Sequence, residues 1–454
     1  MQFVITIILA RLLSPNDFGL VAMATVFLNF VAIFGEFGIS SALIQKQDAQ
    51  DRHYYSAFWL NIVVGAVLTI AFFLMAPLIA WFYKKPELKL ILMVISINFF
   101  ISAFVIIQQA LLMKEMDFKK LAIRDIIAVL LSGLVGIILA YGGMGVWSLI
   151  YQLLTFTIFN AILLWVLSPW RPKFMFSMEA IKEIFHFSAN LTGFSVLNYL
   201  SSNLDKLIIG KLLGAEILGY YTLAYKIMIY PLQNISGVIG KVMLPAFSRI
   251  NTEFERIKTA YLKMLRAISL ITFPLMLGLF AVANEFVTIV CGKQWQPVVD
   301  IIRIFCFCGL FKSIGTTVGT IYLSKGRADL QFKLEFLNIA VIFLAIILGV
   351  RWGIIGVTLF LTVQSIFWVC LNLYFVVRLI HLKASSLFFE LIKPFVISLI
   401  LCFSMIIAGR IIIISNLRSL MIFAVLCGFG YIFMLWISKE LSIEKNKIKF
   451  GFMQ

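Results

Sequence analysis

Long apolar runs follow one another along the whole of this 454-residue sequence and constrain its fold more than any other feature. A helix needs about 20 apolar residues, at 1.5 Å each, to cross a bilayer core roughly 30 Å thick. Fourteen apolar runs separated by short connections lie near residues 1–13, 18–44, 56–83, 89–113, 125–141, 144–168, 187–213, 217–245, 263–291, 300–323, 332–350, 353–377, 392–409 and 418–437. The sequence therefore predicts an all-α polytopic membrane protein with about fourteen transmembrane helices.

Composition excludes the other broad classes of protein. Hydrophobic residues make up 62% of the chain and charged residues only 13%, about half the charged share of a soluble domain. The six cysteines form no C-x-x-C pair and there are only three histidines, so we expect neither a metal site nor a cofactor. The first run spans only about 20 Å as a helix. Either the given start lies inside helix 1, or that helix is truncated.

The distribution of charge predicts orientation and not a nucleic-acid partner. The chain has 38 Lys and Arg against 21 Asp and Glu, a net charge of +17. Of the 38 cations, 25 lie in the connections that follow even-numbered runs or in the C-terminal tail, and 10 lie in the other connections. Lys and Arg collect on the cytoplasmic side of membrane proteins. Both termini are therefore expected in the cytoplasm.

An internal duplication relates the two halves. LARLLSPNDFGLVAMA (9–24) aligns with IGKLLGAEILGYYTLA (209–224) at an offset of 200, and Gly145–Val146 aligns with Gly356–Val357 at an offset of 211. Each copy then holds six runs, an even number, so both copies enter the membrane from the same side, as in a parallel repeat. This predicts an N-lobe (1–168), a cytoplasmic connection (169–186), a C-lobe (187–377), two further helices (392–437) and a basic cytoplasmic tail (438–454).

Polar residues recur inside several runs at helical spacing. An ionisable group in hydrocarbon costs at least about 2.5–3.5 kcal/mol, so those retained usually face a cavity or a partner. The eighth run places one polar stripe on a single face, and its proline predicts a hinge at Pro231. The residues of the stripe are Lys226, Tyr230, Gln233, Gly237 and Lys241.

The inward ionisable groups lean positive. Lys206, Lys226, Lys241 and Lys312 stand against Glu36 and Asp205, and a cationic cavity attracts an anion such as phosphate. The plainer alternative, hydrogen bonding between helices or a buried ion pair, stays open for these positions. Lys211 and Lys241 lie near helix ends, where their side chains can also reach the membrane surface.

Several segments resemble the Wzx-type polysaccharide flippases of the multidrug/oligosaccharidyl-lipid/polysaccharide exporter superfamily, most of all the colanic acid exporter branch. They include residues 9–24, 34–46, 198–236, 244–250, 292–304 and 325–333, and 198–236 is the most specific. The resemblance implies two six-helix lobes in a V plus two C-terminal helices. It also implies export of undecaprenyl-diphosphate-linked oligosaccharide by alternating access, for O-antigen, capsule or exopolysaccharide synthesis.

The same resemblance assigns roles to residues of this chain. Cationic side chains would hold the pyrophosphate, namely Arg11 and Lys211 together with Lys206, Lys226, Lys241 and Lys312. Asp205 and Glu36 would couple transport to a proton or cation gradient. The partners implied are the lipid-linked oligosaccharide, membrane lipids and the polysaccharide polymerase with other assembly proteins.

Three other functions remain as alternatives. A drug/cation antiporter of the same superfamily should have a cavity rich in carboxylates, whereas the inward groups here lean cationic. A lipid II flippase would share nearly every feature above. A membrane polymerase or ligase needs a sizeable extracytoplasmic loop, and the predicted outer connections have at most about ten residues, too few to hold an acceptor. We therefore expect a transporter and not an enzyme.

Overall fold

Helices make up almost all of the chain that the computed structural model describes, namely residues 1–36, 38–46, 48–412, 414–438, 441–444 and 447–450. Side chains are described throughout except at 184–191, 194, 241, 328 and 441–450. Contacts divide the chain into two compact units, Met1–Gly219 and Tyr220–Gln454.

The first unit contains ten helices and the first turn of the next. Their bounds are α1 (Gln2–Leu12), α2 (Pro15–Glu36), α3 (Ile39–Gln45), α4 (Asp51–Tyr83), α5 (Glu87–Ile95), α6 (Ile97–Ala103), α7 (Ile106–Lys114), α8 (Phe118–Tyr141), α9 (Val146–Leu167) and α10 (Met178–Leu213).

The second unit holds the remaining helices and a short hairpin. The helices are α11 (Ala215–Arg249), α12 (Phe254–Ala281), α13 (Ala283–Phe286), α14 (Val298–Gly315), α15 (Val318–Ser324), α16 (Ala328–Val350), α17 (Gly353–Leu379), α18 (Ala384–Ile411) and α19 (Leu417–Ile437). One π-helical turn (Val287–Cys291) and one 3₁₀ turn (Lys293–Trp295) link α13 to α14. Near the C-terminus, β1 (Leu441–Glu444) pairs antiparallel with β2 (Lys447–Phe450).

The apolar helices make this a multi-pass membrane protein. In the described residues nine helical stretches are long and apolar enough to cross a membrane, or ten if the bent pair Glu87–Ala103 and Ile106–Lys114 forms one span. One of the nine, Asp329–Leu379, contains both α16 and α17. The short α1 and α14, which carries three charged residues, fall outside the nine. The count of fourteen stays a prediction.

Four of the predicted runs are interrupted, and two of them, 263–291 and 300–323, are divided at Val282 and at Thr316–Thr317. The run at 89–113 is divided into α5, α6 and α7, with a 43° bend at Phe104–Val105. The run at 18–44 ends as a helix at Glu36, and Gly38 then takes a positive φ of 63° before α3 begins. By contrast, α11 continues through Pro231 without a break. The hinge at Pro231 therefore stays a prediction.

The helix α10 belongs with the first unit. It packs against α2, α3 and α4, so the division between the units falls at Gly219, one helix later than the predicted connection at 169–186. The predicted lobes follow from the duplication and not from this division, so their boundaries stay a prediction.

Helix α2 and the start of α11 approach so closely that only glycine fits. A Cβ atom on Gly19 would lie 1.7 Å from the carbonyl oxygen of Ala215. A Cβ atom on Gly219 would lie 1.9 Å from the carbonyl oxygen of Pro15. Both distances are far below van der Waals contact, so any larger side chain must push these helix ends apart.

Candidate functional site

The middle of α10 carries a short hydrogen-bonded chain of polar side chains. Lys206 Nζ donates to Asn203 Oδ1 at 2.8 Å, and Asn203 Nδ2 donates to the Tyr199 carbonyl at 3.1 Å. Asp205 Oδ1 accepts the backbone N–H of Lys206 at 2.8 Å. Asn203, Asp205 and Lys206 are half-buried. A carboxylate and an ammonium are thus held on adjacent residues of a predicted span.

Tyr199 fixes this part of α10 against α2. Its hydroxyl donates to the Val26 carbonyl at 2.6 Å, and its ring centroid lies 6.0 Å from that of Phe30. Tyr199 contacts Val26, whereas Ala215, which follows the end of α10, lies against the earlier residue Gly19 of α2. The helices α10 and α2 therefore run antiparallel. Asp205 therefore lies on the side of this contact toward the N-terminus of α2.

The structure does not bring the two predicted coupling carboxylates together. Glu36 ends α2 and is exposed, on the opposite side of the Val26–Tyr199 contact from Asp205. The rise per residue separates them by about 24 Å along the helix axes. They cannot form one ion site in this arrangement.

Lys211 performs a structural task at the end of α10. Its ammonium donates to the Phe82 carbonyl and lies 4.5 Å from the centroid of the Phe82 ring. Phe82 is in the last turn of α4, where backbone carbonyls lack partners within the helix. Lys211 thus caps α4 from a position 129 residues away. A cation also complements the negative end of the α4 dipole.

Arg11 lies in the last turn of α1 and is exposed. This position favours a cation electrostatically, since a helix C-terminus carries partial negative charge. Arg11 and Lys211 therefore both occupy helix C-termini. Their placement accounts for a positive charge there without a ligand.

In the second unit, one predicted cation contacts the tyrosine that precedes another predicted cation in the sequence. Lys312 Nζ, on α14, lies 3.4 Å from Tyr225 Oη and 5.1 Å from the centroid of its ring. Lys226 follows directly in sequence and is exposed on α11. The side chain of Lys241 lies outside the described residues. The structure thus joins α11 and α14 through Lys312 and Tyr225, with Lys226 on the adjoining position.

Aromatic residues lie beside Lys211 and Lys312. Sequence patterns did not single out these aromatic residues. Phe27 lies 6.1 Å from Phe82 and 5.8 Å from Tyr83, measured between ring centroids. Tyr225 stacks on Tyr221 at 6.2 Å. In a chain with 44 phenylalanines, aromatic residues in apolar runs carry no distinguishing signal. Only the tertiary contacts reveal which of them adjoin charged groups.

A second charged cluster joins α3, α4 and α10 at the other end of these helices. Glu183 accepts from Lys46 at 2.9 Å and from His53 Nε2 at 3.0 Å, and it lies 3.5 Å from Arg52. His53 is buried, and its Nδ1 accepts the backbone N–H of Gln50 at 3.0 Å. Hydrogen bonds from Lys46 and His53 lower the pKa of Glu183 to about 2. Glu183 is therefore ionised throughout the physiological range.

No metal centre is present among the residues that the structure describes. Within those ranges no group of three or more His, Cys, Asp and Glu side chains could hold an ion. The side chains described above offer ammonium groups, hydroxyls and aromatic faces. Such groups bind anions and sugars.

Comparison with known proteins relates the chain to surface-polysaccharide systems. Residues 8–300 match the family model described as polysaccharide biosynthesis protein. The chain is 31% identical over 372 residues to the lipopolysaccharide biosynthesis protein WzxC of Escherichia coli (strain K12), covering 79% of this chain and 74% of WzxC. It is 28% identical over 295 residues to the succinoglycan biosynthesis transport protein ExoT of Rhizobium meliloti (strain 1021), covering 65% of this chain and 60% of ExoT.

A solved structure shares the fold. The lipid II flippase MurJ, in an inward closed conformation, superposes with a TM-score of 0.77 at 17% sequence identity. The match covers 96% of this chain and 97% of the MurJ chain. The helical arrangement is therefore of the MurJ type over nearly the full length.

Proposed function

This chain belongs to the polysaccharide biosynthesis protein family, and on that premise we propose that it flips a lipid-linked oligosaccharide across the bacterial inner membrane. The substrate would be an undecaprenyl-diphosphate-linked repeat unit destined for O-antigen, capsule or exopolysaccharide. Transport would occur by alternating access, without a chemical step on the substrate. The polymerase and other assembly proteins would receive the product on the outer face, and both termini would lie in the cytoplasm.

The observation that carries this proposal is the contact of Lys312 with Tyr225, the residue directly before Lys226. Lys312 contacts the Tyr225 hydroxyl, and Lys226 is exposed at the next position. Two ammonium groups on neighbouring helices suit a pyrophosphate, which carries several negative charges that point-like cations can neutralise. The stacked rings of Tyr221 and Tyr225 suit the apolar face of a sugar.

We assign different roles to the predicted residues according to where each one lies. We assign pyrophosphate binding to Lys226 and Lys312, with Lys206 as a further candidate on α10. We assign helix capping to Lys211 and leave Lys241 as a candidate from sequence alone. For coupling to a proton or cation gradient we favour Asp205, which lies beside Lys206 inside a predicted span, over the exposed Glu36.

The test is a transport assay with paired variants. Lys206→Gln combined with Lys226→Gln should cause lipid-linked oligosaccharide to accumulate on the cytoplasmic face of cells that lack the native gene. Losing charged contacts worth about 1.5–3 kcal/mol each predicts at least a tenfold loss for the pair. Lys89→Gln, an exposed lysine at the start of α5, is the matched control and should transport normally. Normal transport by the double variant would contradict the proposed site.

Two outcomes would favour other functions. Rescue of a strain that lacks its lipid II flippase would identify a peptidoglycan precursor as the substrate, a function that the MurJ-like fold also permits. Efflux of organic cations by the purified protein in proteoliposomes would indicate a drug antiporter. The cationic character of the Lys226–Lys312 region argues against the second outcome, because like charges repel.

A further inference from the structure

The connection between α9 and α10, residues 168–177, is non-helical but firmly held against α4. The ring of Trp170 stacks on that of Tyr55 at 5.7 Å. Trp59 Nε1 donates to the Lys173 carbonyl at 2.9 Å, and the Ser177 N–H donates to Ser56 Oγ at 2.8 Å. The connection is therefore a strap fixed along the first two turns of α4.

Its outer side presents an unusual run of large apolar side chains. Phe174 is 94% exposed and Phe176 is 54% exposed, and Met175 and Met178 are exposed as well. The Phe174 ring stacks on Trp59 at 4.7 Å, so its direction is set by the protein. Four exposed apolar side chains among five successive residues, at a point that lies between predicted spans, need a partner.

The depth of this strap in the membrane follows from two opposing requirements. A non-helical backbone leaves N–H and C=O groups that hydrocarbon cannot satisfy, which excludes the bilayer core. Exposed phenylalanine rings are disfavoured in bulk water. The headgroup layer satisfies both requirements, and aromatic residues are enriched there.

The charge next to the aromatic run selects the kind of lipid. Lys173 and Lys182 are exposed, and Glu179 is the single acidic residue between positions 168 and 182. Arg171 donates to the carbonyls of Ser168 and Trp165, so its guanidinium closes the end of α9. Exposed lysines beside a membrane surface attract anionic headgroups, at about 1 kcal/mol per cation in general.

We propose that the strap is a membrane-surface anchor, in which Phe174 and Phe176 insert among lipid headgroups and Lys173 contacts anionic lipid phosphates. The occupant is a bilayer surface that carries negative charge. This binding is independent of the transported substrate. Because the strap leads directly into α10, the anchor fixes the start of that helix to one membrane surface.

Fluorescence in nanodiscs tests the anchor with the full chain. Phe174→Cys is labelled with the environment-sensitive dye NBD, and the unsubstituted chain, whose Cys370 is exposed, gives the background. Asp48→Cys, in an exposed polar connection, is the matched control. The label at 174 should show blue-shifted emission and severalfold stronger quenching by lipids with a nitroxide near the headgroup. The label at 48 should emit as in water.

Changing the lipid charge tests two parts of the proposal separately, namely insertion of the phenylalanines and contact of the lysine with anionic headgroups. In nanodiscs with phosphatidylglycerol, quenching at position 174 should exceed that in purely zwitterionic nanodiscs, and Lys173→Gln with Lys182→Gln should remove the difference. Equal quenching in both lipids would overturn the role of anionic headgroups. Emission at 174 that resembles water in both would overturn the anchor and indicate an aqueous or protein-facing surface.

Discussion

Gly19 and Gly219 make reciprocal close contacts, although 200 residues separate them in the sequence. Gly19 lies against the carbonyl of Ala215, and Gly219 lies against the carbonyl of Pro15. Each glycine thus meets the residue four positions before its counterpart in the aligned segment. Such reciprocity is what a twofold axis between the aligned segments requires. The full six-helix lobes stay a prediction.

The close contact at Gly19 predicts that a large side chain is not tolerated at this position. Gly19→Leu should destabilise the arrangement described here, because overpacking costs about 1–3 kcal/mol even where neighbours adjust, and a backbone carbonyl adjusts little. We expect transport to fall at least tenfold, measured as lipid-linked oligosaccharide retained inside. Gly428→Ala, where a Cβ would meet nothing within 4 Å, should transport normally. Full activity of Gly19→Leu would show that the contact is not formed during transport.

Lys211 and Lys226 should behave differently when neutralised. Lys211→Gln removes the cap on Phe82 and should lower the free energy of unfolding by about 1–2 kcal/mol, seen as a lower thermal midpoint. Lys226→Gln, at an exposed position of α11, should reduce transport. The opposite pattern, with Lys211→Gln stable but inactive, would assign Lys211 to the substrate.

Variants of Lys312 and Tyr225 distinguish the contribution of the ammonium charge from that of the tyrosine hydroxyl. Lys312→Gln should reduce transport about tenfold if it loses one charged contact to pyrophosphate. Tyr225→Phe keeps the ring that lies 5.1 Å from the ammonium and should cost less than threefold. Initial rates in proteoliposomes measure both. Equal losses would mean that the hydroxyl itself contacts the substrate.

The Glu183 cluster predicts a pH dependence of stability. The pKa of the Glu183 carboxyl falls from an ordinary 4.5 to about 2 in the folded protein. A depressed pKa contributes stability that is fully present above pH 4.5 and is lost as the pH falls toward 2. The difference in thermal midpoint between the native chain and Glu183→Gln should therefore be constant from pH 6 to 8 and shrink below pH 4.5. A difference that is as large at pH 3 as at pH 7 would contradict this assignment.

Local sequence patterns predicted the apolar helices because burial in hydrocarbon requires long unbroken runs. They predicted the polar stripe at Lys226 for the same reason, since charge inside such a run is rare and conspicuous. The break of residues 89–113 into three helices was not predictable, because no proline or glycine marks Phe104–Val105. The apolar pattern continues unchanged across the bend.

The capping role of Lys211 could not be predicted from the sequence either, and the reason is different. Its partner Phe82 ends a helix far away in the sequence, so the capping contact exists only after α4 and α10 are packed together. Glu183 likewise shows no pattern of its own. It gains its role when Lys46, Arg52 and His53 converge on it from two other helices.

The contact of Gly19 with Ala215 and of Gly219 with Pro15 has a consequence for the history of the chain. A reciprocal contact between matching segments is the kind that two identical subunits make across a symmetric interface. Under the predicted duplication, the contacts of Gly19 and Gly219 correspond to the surface through which two copies of a half-length chain would pair.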